Sequence, residues 1–474
     1  MQIGGMETGS SNESWIRVVN PATGEYVDRV PEGTADDVSR AVDAAQAAFD
    51  GWCKVTPRER GKILSHAAGM VRERHTAIAP MLTWEEGKPI RESVDEVRGF
   101  ANILEFYAGI SASLQGEYIP LGRQGEGLVV HEPLGVCGAI VPWNVPAIVM
   151  GWKVAPALLG GNTMVLKPSS TAPLTCLLLA SLLEEAGLPP GVLNVVTGSG
   201  EVAGTALVRH PNLQKISFTG STEIGSQVLA LAREAGRKEI LLELGGSDPM
   251  IVWKDADIPS AVVGAIRGRY YNTGQTCNAV KRLYLHEEIV DRFLEMLTAQ
   301  VHSLRVGNGI DPKVDMGPLH SASQREGIIK VVDQIRNEGG KILTGGEIPL
   351  GTGYDKGFFY QPTVITEVPE NSQALSEEVF GPVLPVCTYS TLQEALKMAN
   401  SSRYGLGASV WTQNLSVVRM VFREVKAGIV WVNRHLTVPP EIPFGGVKES
   451  GMGRENGIQA LLHYTRTKSL FLSS

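Results

Sequence analysis

Between residues 136 and 242, short apolar runs alternate with helix-patterned stretches, and this rhythm limits the possible folds more than any other feature of the chain. Runs at 136–141, 163–166, 193–196, 215–218 and 240–242 predict strands separated by helical crossovers, and hence a parallel sheet. Right-handed βαβ connections bring the carboxyl ends of such strands to one edge, where doubly wound sheets bind their ligands. The residues just after each run are therefore the first candidates for chemistry. Further strand patterns at 250–253, 283–285 and 429–432 carry the α/β character through a second region, about 246–449. No internal repeat or low-complexity linker divides the two, and the Gly/Pro-rich segments 348–353 and 437–446 read as loops.

The first third reads as helical. Thr34 is placed to cap a helix whose Val38, Ala41, Val42, Ala45 and Phe49 form one apolar face, and a second helix is expected from Pro57 to the region of Arg72. A Gly-containing turn within 121–130 predicts a hairpin, and the apolar alternation of 467–472 suits an edge strand. Residues 1–14 are polar and Gly/Ser-rich, without the basic and apolar regions of a secretory signal, and are expected to fray. The uncharged stretch 136–152 stops short of membrane-spanning length and is broken by Pro142, Asn144 and Pro146. It predicts a buried strand, a turn and a buried helix.

Composition narrows the partners. With 474 residues, 43% of them hydrophobic, the chain can bury large cores, and its length suggests roughly two to four domains. A net charge of −7 leaves no global basic field, so neither nucleic acid nor an anionic membrane is an expected partner. The five cysteines are scattered, odd in number and without a Cys-x-x-Cys pair, which argues against a disulfide framework or a structural metal. A reducing cytoplasm is the expected location.

Several residues then stand out. Cys277 follows a Gly turn within Asn-Thr-Gly-Gln-Thr-Cys-Asn, a setting for an accessible thiolate or for a small buried hydrophobe. Glu243 ends a fully apolar strand, where a carboxylate is either a base with a shifted pKa or a salt-bridged structural group. Asn144, just past the first strand, offers an amide donor to the crevice or caps its turn. The segment Phe218-Thr219-Gly220-Ser221 follows a strand and opens a helix, aiming backbone N–H groups at a phosphate. Gly198, Gly200 and Ala203 also satisfy a dinucleotide fingerprint, but two such loops cannot both be central, and the Gly220 loop is favoured. Lys167 ends another strand, as a donor to ribose or phosphate or as a surface lysine.

Read in order, the segments resemble the aldehyde dehydrogenase superfamily. They are Pro-Trp-Asn at 142–144, Lys-Pro-Ser-Ser at 167–170, Phe-Thr-Gly-Ser at 218–221, Leu-Glu-Leu-Gly-Gly at 242–246 and Gly-Gln-Thr-Cys at 274–277. Downstream follow Glu-Glu-Val-Phe-Gly-Pro at 377–382, Pro-Phe-Gly-Gly-Val-Lys at 443–448 and Ser-Gly-Met-Gly-Arg-Glu at 450–455. The resemblance runs from near Val19 almost to the C-terminus. It implies an α/β fold in which a Rossmann-like, doubly wound coenzyme domain (1–114 and 134–245) interleaves with a second α/β catalytic domain (246–454). A small β oligomerisation element (115–133 and 455–474) completes it, serving a homodimer or homotetramer.

By the same resemblance, the chain oxidises an aldehyde to the carboxylic acid with NAD or NADP. Cys277 forms a thiohemiacetal and then a thioester, the Asn144 side chain and the Cys277 N–H hold the oxyanion, and Glu243 activates water. Acylating relatives generally lack that glutamate, so the resemblance implies a hydrolytic member. Lys153 and Glu455 match positions proposed to relay protons. Lys167 would meet the adenine-side ribose, Gly220 and Ser221 the pyrophosphate, and Glu378 the nicotinamide ribose with Phe380 beside it. The expected cofactor surface also takes in Val141, Pro142, Trp143, Ser169, Ser170, Gly200, Gly204, Phe218, Thr219, Leu244 and Gly245. Ser170 stands where NAD-specific relatives often carry a glutamate that repels a 2′-phosphate, which implies that NADP is accepted.

The resemblance also implies that Val145, Val149, Trp152, Tyr271, Thr276 and Asn278, with part of the loop 434–440, face the aldehyde. Val145 replaces a more usual phenylalanine, which suits a medium-sized or aromatic aldehyde; Arg434 or His435 would pair with a semialdehyde carboxylate or brace the loop. Two rival functions remain open on sequence: a Cys-dependent esterase without redox chemistry, and a catalytically silent structural protein. The intact set of Cys277, Glu243 and Asn144 argues against the second.

Overall fold

The computed structural model describes residues 1–473. The predicted strands assemble into an eight-stranded sheet whose five central members are parallel, in the spatial order Leu193–Val195, Thr163–Lys167, Val136–Ile140, Lys215–Thr219, Glu239–Glu243. The chain builds outward from Val136–Ile140 in one direction, then returns to build in the other. That reversal opens a crevice between Val136–Ile140 and Lys215–Thr219. Four of these strands are buried along their whole length, as expected where helices cover both faces.

Helix α1 (Ala35–Trp52) starts as predicted, with a reciprocal capping box between Thr34 and Asp37. Helix α2 (Pro57–Glu86) starts at its own capping box, Thr56 with Glu59, but runs beyond Arg72 and through Pro80. Ile78, Ala79 and Leu82 continue its buried face, so tertiary burial carries the helix past a residue that would normally break it. Helix α3 (Ile90–Gly109) packs against α2 and against α4 (Pro146–Leu159), the buried helix expected after Pro146.

The N-terminus departs from expectation. Gln2–Ile3 and Met6–Glu7 form a hairpin on the edge of the large sheet, and Met1 is buried in the adjacent core. Gly4 and Gly5 form the two-residue turn with φ of 61° and 78°, the backbone that glycine alone adopts freely. Ser10 and Ser11 then bond to the Asp37 carboxylate, tying the segment to α1.

A second sheet of seven strands has the order Lys341–Thr344, Thr363–Thr366, Val383–Tyr389, Val280–His286, Asp248–Val252, Gly407–Trp411, Ile429–Val432, all parallel except at its first pair. The predicted hairpin appears as Glu117–Pro120 with Glu126–Pro133, and Thr465–Leu472 adds to it as the edge of a three-stranded sheet. Among the described residues, no helix is long and apolar enough to cross a membrane. The uncharged stretch resolves into the strand Val136–Ile140 and helix α4.

Candidate active site

The chain leaving Val136–Ile140 turns through Pro142, Trp143 and Asn144 into α4, while the Val141 N–H donates to the Lys167 carbonyl at 3.1 Å and keeps the two strand ends level. Across the crevice, Lys215–Thr219 ends at Gly220 and Ser221. The Ser221 hydroxyl accepts from the Ile224 N–H and caps the helix Thr222–Glu234, leaving the helix start open to the crevice. Parallel register sets Thr219 opposite Glu243, the last residue of the next strand.

Cys277 arrives from the other sheet. After the helix Ile258–Tyr270 the chain passes through Asn272, Thr273 and Gly274 with φ of 49°, 57° and 74°, three left-handed residues in succession. Such backbone persists only when its surroundings hold it. The Asn272 N–H donates to Glu92 Oε2 at 2.8 Å, the Thr273 hydroxyl to the Gly317 carbonyl at 3.1 Å, and the Gln275 amide to the Asn272 carbonyl at 3.1 Å. Gly274 is required doubly, since a Cβ there would lie 2.3 Å from the Gly381 carbonyl oxygen.

One cavity collects Asn144, Glu243 and Cys277 with Thr219, Gly220, Ser221, Leu244 and Gly245, closed by Pro142, Trp143, Glu378 and Phe380. Both Glu243 oxygens are buried and lack a hydrogen-bond partner, which removes the salt-bridged structural reading. Burial pushes its pKa up to about 8 against the opposing influence of the neighbouring Cys277 thiol and the Lys153 charge. Burial first, and the negative charges of Glu243 and Glu378 second, hold the Cys277 thiol well above its ordinary value. A protonated thiol therefore faces a carboxyl group whose proton affinity suits a base near neutral pH. Asn144 Nδ2 donates one hydrogen to the Gln275 carbonyl at 2.8 Å, and its second hydrogen is left for the cavity.

Behind the cavity, Lys153 Nζ donates to Glu455 Oε1 at 2.6 Å and to the Ser217 hydroxyl at 2.8 Å, with both charged side chains fully buried. Lys167 is not a surface lysine. It is 4% exposed, donates to the carbonyls of Pro168 and Gly198 at 2.7 and 3.0 Å, and burial lowers its pKa to about 8. Gly200–Gly204 forms a short turn of helix beside Lys167, so the weaker fingerprint flanks the crevice while the Gly220 loop lines the cavity with Cys277. Phe218 is buried beneath that loop, and Ser169 and Ser170 are partly exposed after Lys167. Glu378 Oε1 accepts from Lys281 Nζ at 3.1 Å and from the Gly246 N–H at 3.2 Å, and the Phe380 ring stands edge-on to Trp143 at 5.7 Å.

The residues expected to face the aldehyde divide. Val145, Val149 and Trp152 line the same cavity as Cys277. Tyr271 lines a separate cavity with Arg91, Asp95 and Arg267, Thr276 is buried, and Asn278 donates from its side chain to the Leu436 carbonyl at 3.3 Å. Arg434 and His435 face a third cavity and brace their own loop: Arg434 Nε donates to Thr437, and His435 bridges Ser409 and the Asn278 carbonyl.

Sequence reading missed Gln324, which lines the cavity, and Lys281, which pairs with Glu378. A lysine inside Val280–His286, every residue of which is buried, was a usable signal: a charge there demands a partner. Lys88 with Glu86, Glu92 and Glu96 was also missed, because charges scattered through a helical pattern read as a solvated face.

Comparison with known proteins agrees with this arrangement. The model of the aldehyde dehydrogenase family matches residues 7–470. A betaine aldehyde dehydrogenase from Brucella anthropi is 40% identical over 456 residues, covering 96% of this chain and 93% of the relative. PnpE from Pseudomonas sp. WBC-3 superposes with a TM-score of 0.98 at 39% identity, covering 100% of this chain and 97% of PnpE, and has also been solved with nicotinamide adenine dinucleotide. An NADP-dependent enzyme from E. coli superposes with a TM-score of 0.97 at 36% identity, covering 100% and 98% of the two chains. The chain belongs to the aldehyde dehydrogenase family and is an NAD(P)-dependent oxidoreductase that converts an aldehyde to the carboxylic acid.

Proposed function

We propose that Cys277 is the nucleophile of this oxidation, Asn144 the oxyanion donor and Glu243 the base. The reading is carried by their meeting in one cavity with the Gly220 loop. Glu243 takes the thiol proton, and the sulfur adds to the aldehyde carbon. The resulting oxyanion is held by the free N–H of the Asn144 amide and by the Cys277 N–H. A nicotinamide held beside Glu378 and Phe380 would supply the acceptor for the hydride leaving that carbon. Once Glu243 has passed the thiol proton on through Lys153 and Glu455, it takes a proton from water, which attacks the Cys277 thioester; the acid is released and the departing thiolate takes that proton back as thiol. Lys153 and Glu455 pass protons between Glu243 and the interior behind it.

The crevice suits a dinucleotide: Thr219 Oγ1 is buried at the cavity without a partner, and the Ser221-capped helix start opens beside it. Gly220 and Ser221 would hold the pyrophosphate, Glu378 and Phe380 the nicotinamide end, and Lys167 the adenine-side ribose. Val141, Pro142, Trp143, Leu244 and Gly245 complete the walls, with Gly200 and Gly204 at the rim. Ser170 brings no carboxylate against a 2′-phosphate, so NADP is accepted alongside NAD.

No lysine or arginine lines the cavity among the described residues, while Trp152 stacks at a tilt on Phe444 at 5.1 Å. These features favour an uncharged aldehyde of medium size or with an aromatic ring. The domain division given above is kept as our reading. It is supported by each large sheet drawing its parallel strands from one segment; the short strand Gly451–Met452 crosses over to edge the first sheet. Five free cysteines suit a reducing cytoplasm. A panel of aldehydes assayed with NAD and NADP tests the whole reading, with betaine aldehyde and a semialdehyde as charged members. Fastest turnover of a charged member would overturn the substrate class, and failure of Cys277→Ala to stop turnover would overturn the mechanism.

A further inference from the structure

The turn between α2 and α3 carries a group of charges that the reaction as described does not use. Lys88 is fully buried, and its Nζ donates to Glu96 Oε2 at 2.5 Å and to the main-chain carbonyl of Asn144 at 2.6 Å. Glu96 accepts with its other oxygen from the Ala147 N–H at 2.9 Å, in the first turn of α4. The Asn144 carbonyl takes a second bond, from Asn272 Nδ2 at 2.8 Å. Asn272 is in turn held at its N–H by Glu92. One peptide group is thus clamped between a buried ammonium and the loop that carries Cys277.

As a device for stability this is a poor arrangement, since buried ion pairs rarely outperform apolar packing. Its geometry serves direction instead. The plane of the Asn144 carbonyl sets where the Asn144 side chain starts, and misplacing an oxyanion donor by about 1 Å costs roughly a hundredfold in rate. We infer that Lys88 is a positioning residue for this enzyme: pinned by Glu96, its ammonium fixes the Asn144 main chain and so aims the Asn144 amide at the carbonyl oxygen of the substrate. The inference rests on the proposed role of Asn144 as oxyanion donor.

The test uses the full chain in two backgrounds. Lys88→Met with Glu96→Gln removes the closest ion pair together; Glu86, 3.8 Å from Lys88 Nζ, loses its counter-charge as well. In the wild-type background we expect a folded enzyme with unchanged dinucleotide Kd and aldehyde KM, and kcat lower by roughly ten- to a hundredfold. In an Asn144→Ala background the same pair of substitutions should cost nothing further, because Lys88 acts through that side chain. A merely structural role would lower the thermal midpoint and leave that kcat pattern absent. Wild-type kcat in the first background, or an equal loss in both, would overturn the inference. Full activity of Asn144→Ala alone would remove the oxyanion reading itself, and the inference with it. Should the doubly substituted chain not fold, Glu96→Gln alone loosens the pin, keeping one oxygen for the Ala147 N–H and losing the acceptor that faces Lys88, and is read the same way: a kcat loss confined to the wild-type background supports the inference, and an equal loss in both overturns it.

Discussion

Glu243 stands opposite Thr219 at the ends of two adjacent parallel strands, and neither Glu243 oxygen has a hydrogen-bond partner. A carboxyl group so placed holds its proton to about pH 8, chiefly through burial. Below that pH the group is neutral and cannot take a proton from Cys277 or water; above it the base is free. The kcat/KM of the enzyme should therefore rise with pH toward about 8, and Glu243→Gln should flatten that limb. The same variant should accumulate acyl-enzyme, seen as added mass on the Cys277 peptide after one turnover. Unaltered turnover or an unaltered pH limb would remove Glu243 from the mechanism.

Cys277→Ala should reduce aldehyde oxidation by about 10³-fold or more, while dinucleotide binding followed by fluorescence stays intact. None of the other four cysteines lines the cavity. Substituting any of them by serine should leave kcat unchanged.

Lys153 and Glu455 act on Glu243 with opposite sign: the lysine charge lowers its pKa and the glutamate charge raises it. Lys153→Met should move the rising limb of the pH profile to higher pH, and Glu455→Gln should move it to lower pH. Both variants lose one half of a buried pair, so each should also unfold at a lower temperature than the parent. Limbs that move in the same direction would show that the pair does not act electrostatically on the base.

Taken singly, these residues stayed open between a catalytic and a structural role, and the order of the family motifs assigned them. Only the carboxylate ending an apolar strand stands where packing alone would choose otherwise; an asparagine at a strand exit and a cysteine after a Gly turn are ordinary by themselves. What sequence hid was decided by partners far along the chain. Lys88 looks like one charge among many until Asn144, 56 residues away, closes on it. The run around Cys387 reads as strand-like, and its place inside the second sheet, between Thr363–Thr366 and Val280–His286, shows only in the fold, where Pro385 pairs in register with Ile365. Gly4 and Gly5 read as part of a polar tail, although a Gly-Gly pair between apolar neighbours is also a hairpin signal, and the large sheet supplies the edge that makes the hairpin worthwhile.

Ser170 lies on the partly exposed segment that follows Lys167, and no carboxylate occupies its position. Introducing one by Ser170→Glu should lower kcat/KM for NADP by about tenfold or more, since two anions at contact remain costly even when screened. The value for NAD should hold or improve, because a carboxylate can accept from the ribose 2′-hydroxyl. Equal losses with both cofactors would mean that Ser170 does not meet the 2′ position.

The strand Thr465–Leu472 pairs along its length with Glu126–Pro133 on one side, and its other edge is unpaired among the described residues. Leu470, Phe471 and Leu472 on it are exposed, Phe471 to 60%, as are Tyr118 and Val130 on the neighbouring strands. An apolar open edge of this kind invites a second chain, and natural proteins leave one only where it is used. We expect the enzyme to form a homodimer or homotetramer through this sheet. Charges at Leu470 and Leu472, two residues on one face of the strand, should shift the mass seen by light scattering toward the monomer. Because both lie outside the cavity of Cys277, the dinucleotide should still bind to the dissociated chain. An assembly that survives both substitutions would place the contact between subunits elsewhere on the surface.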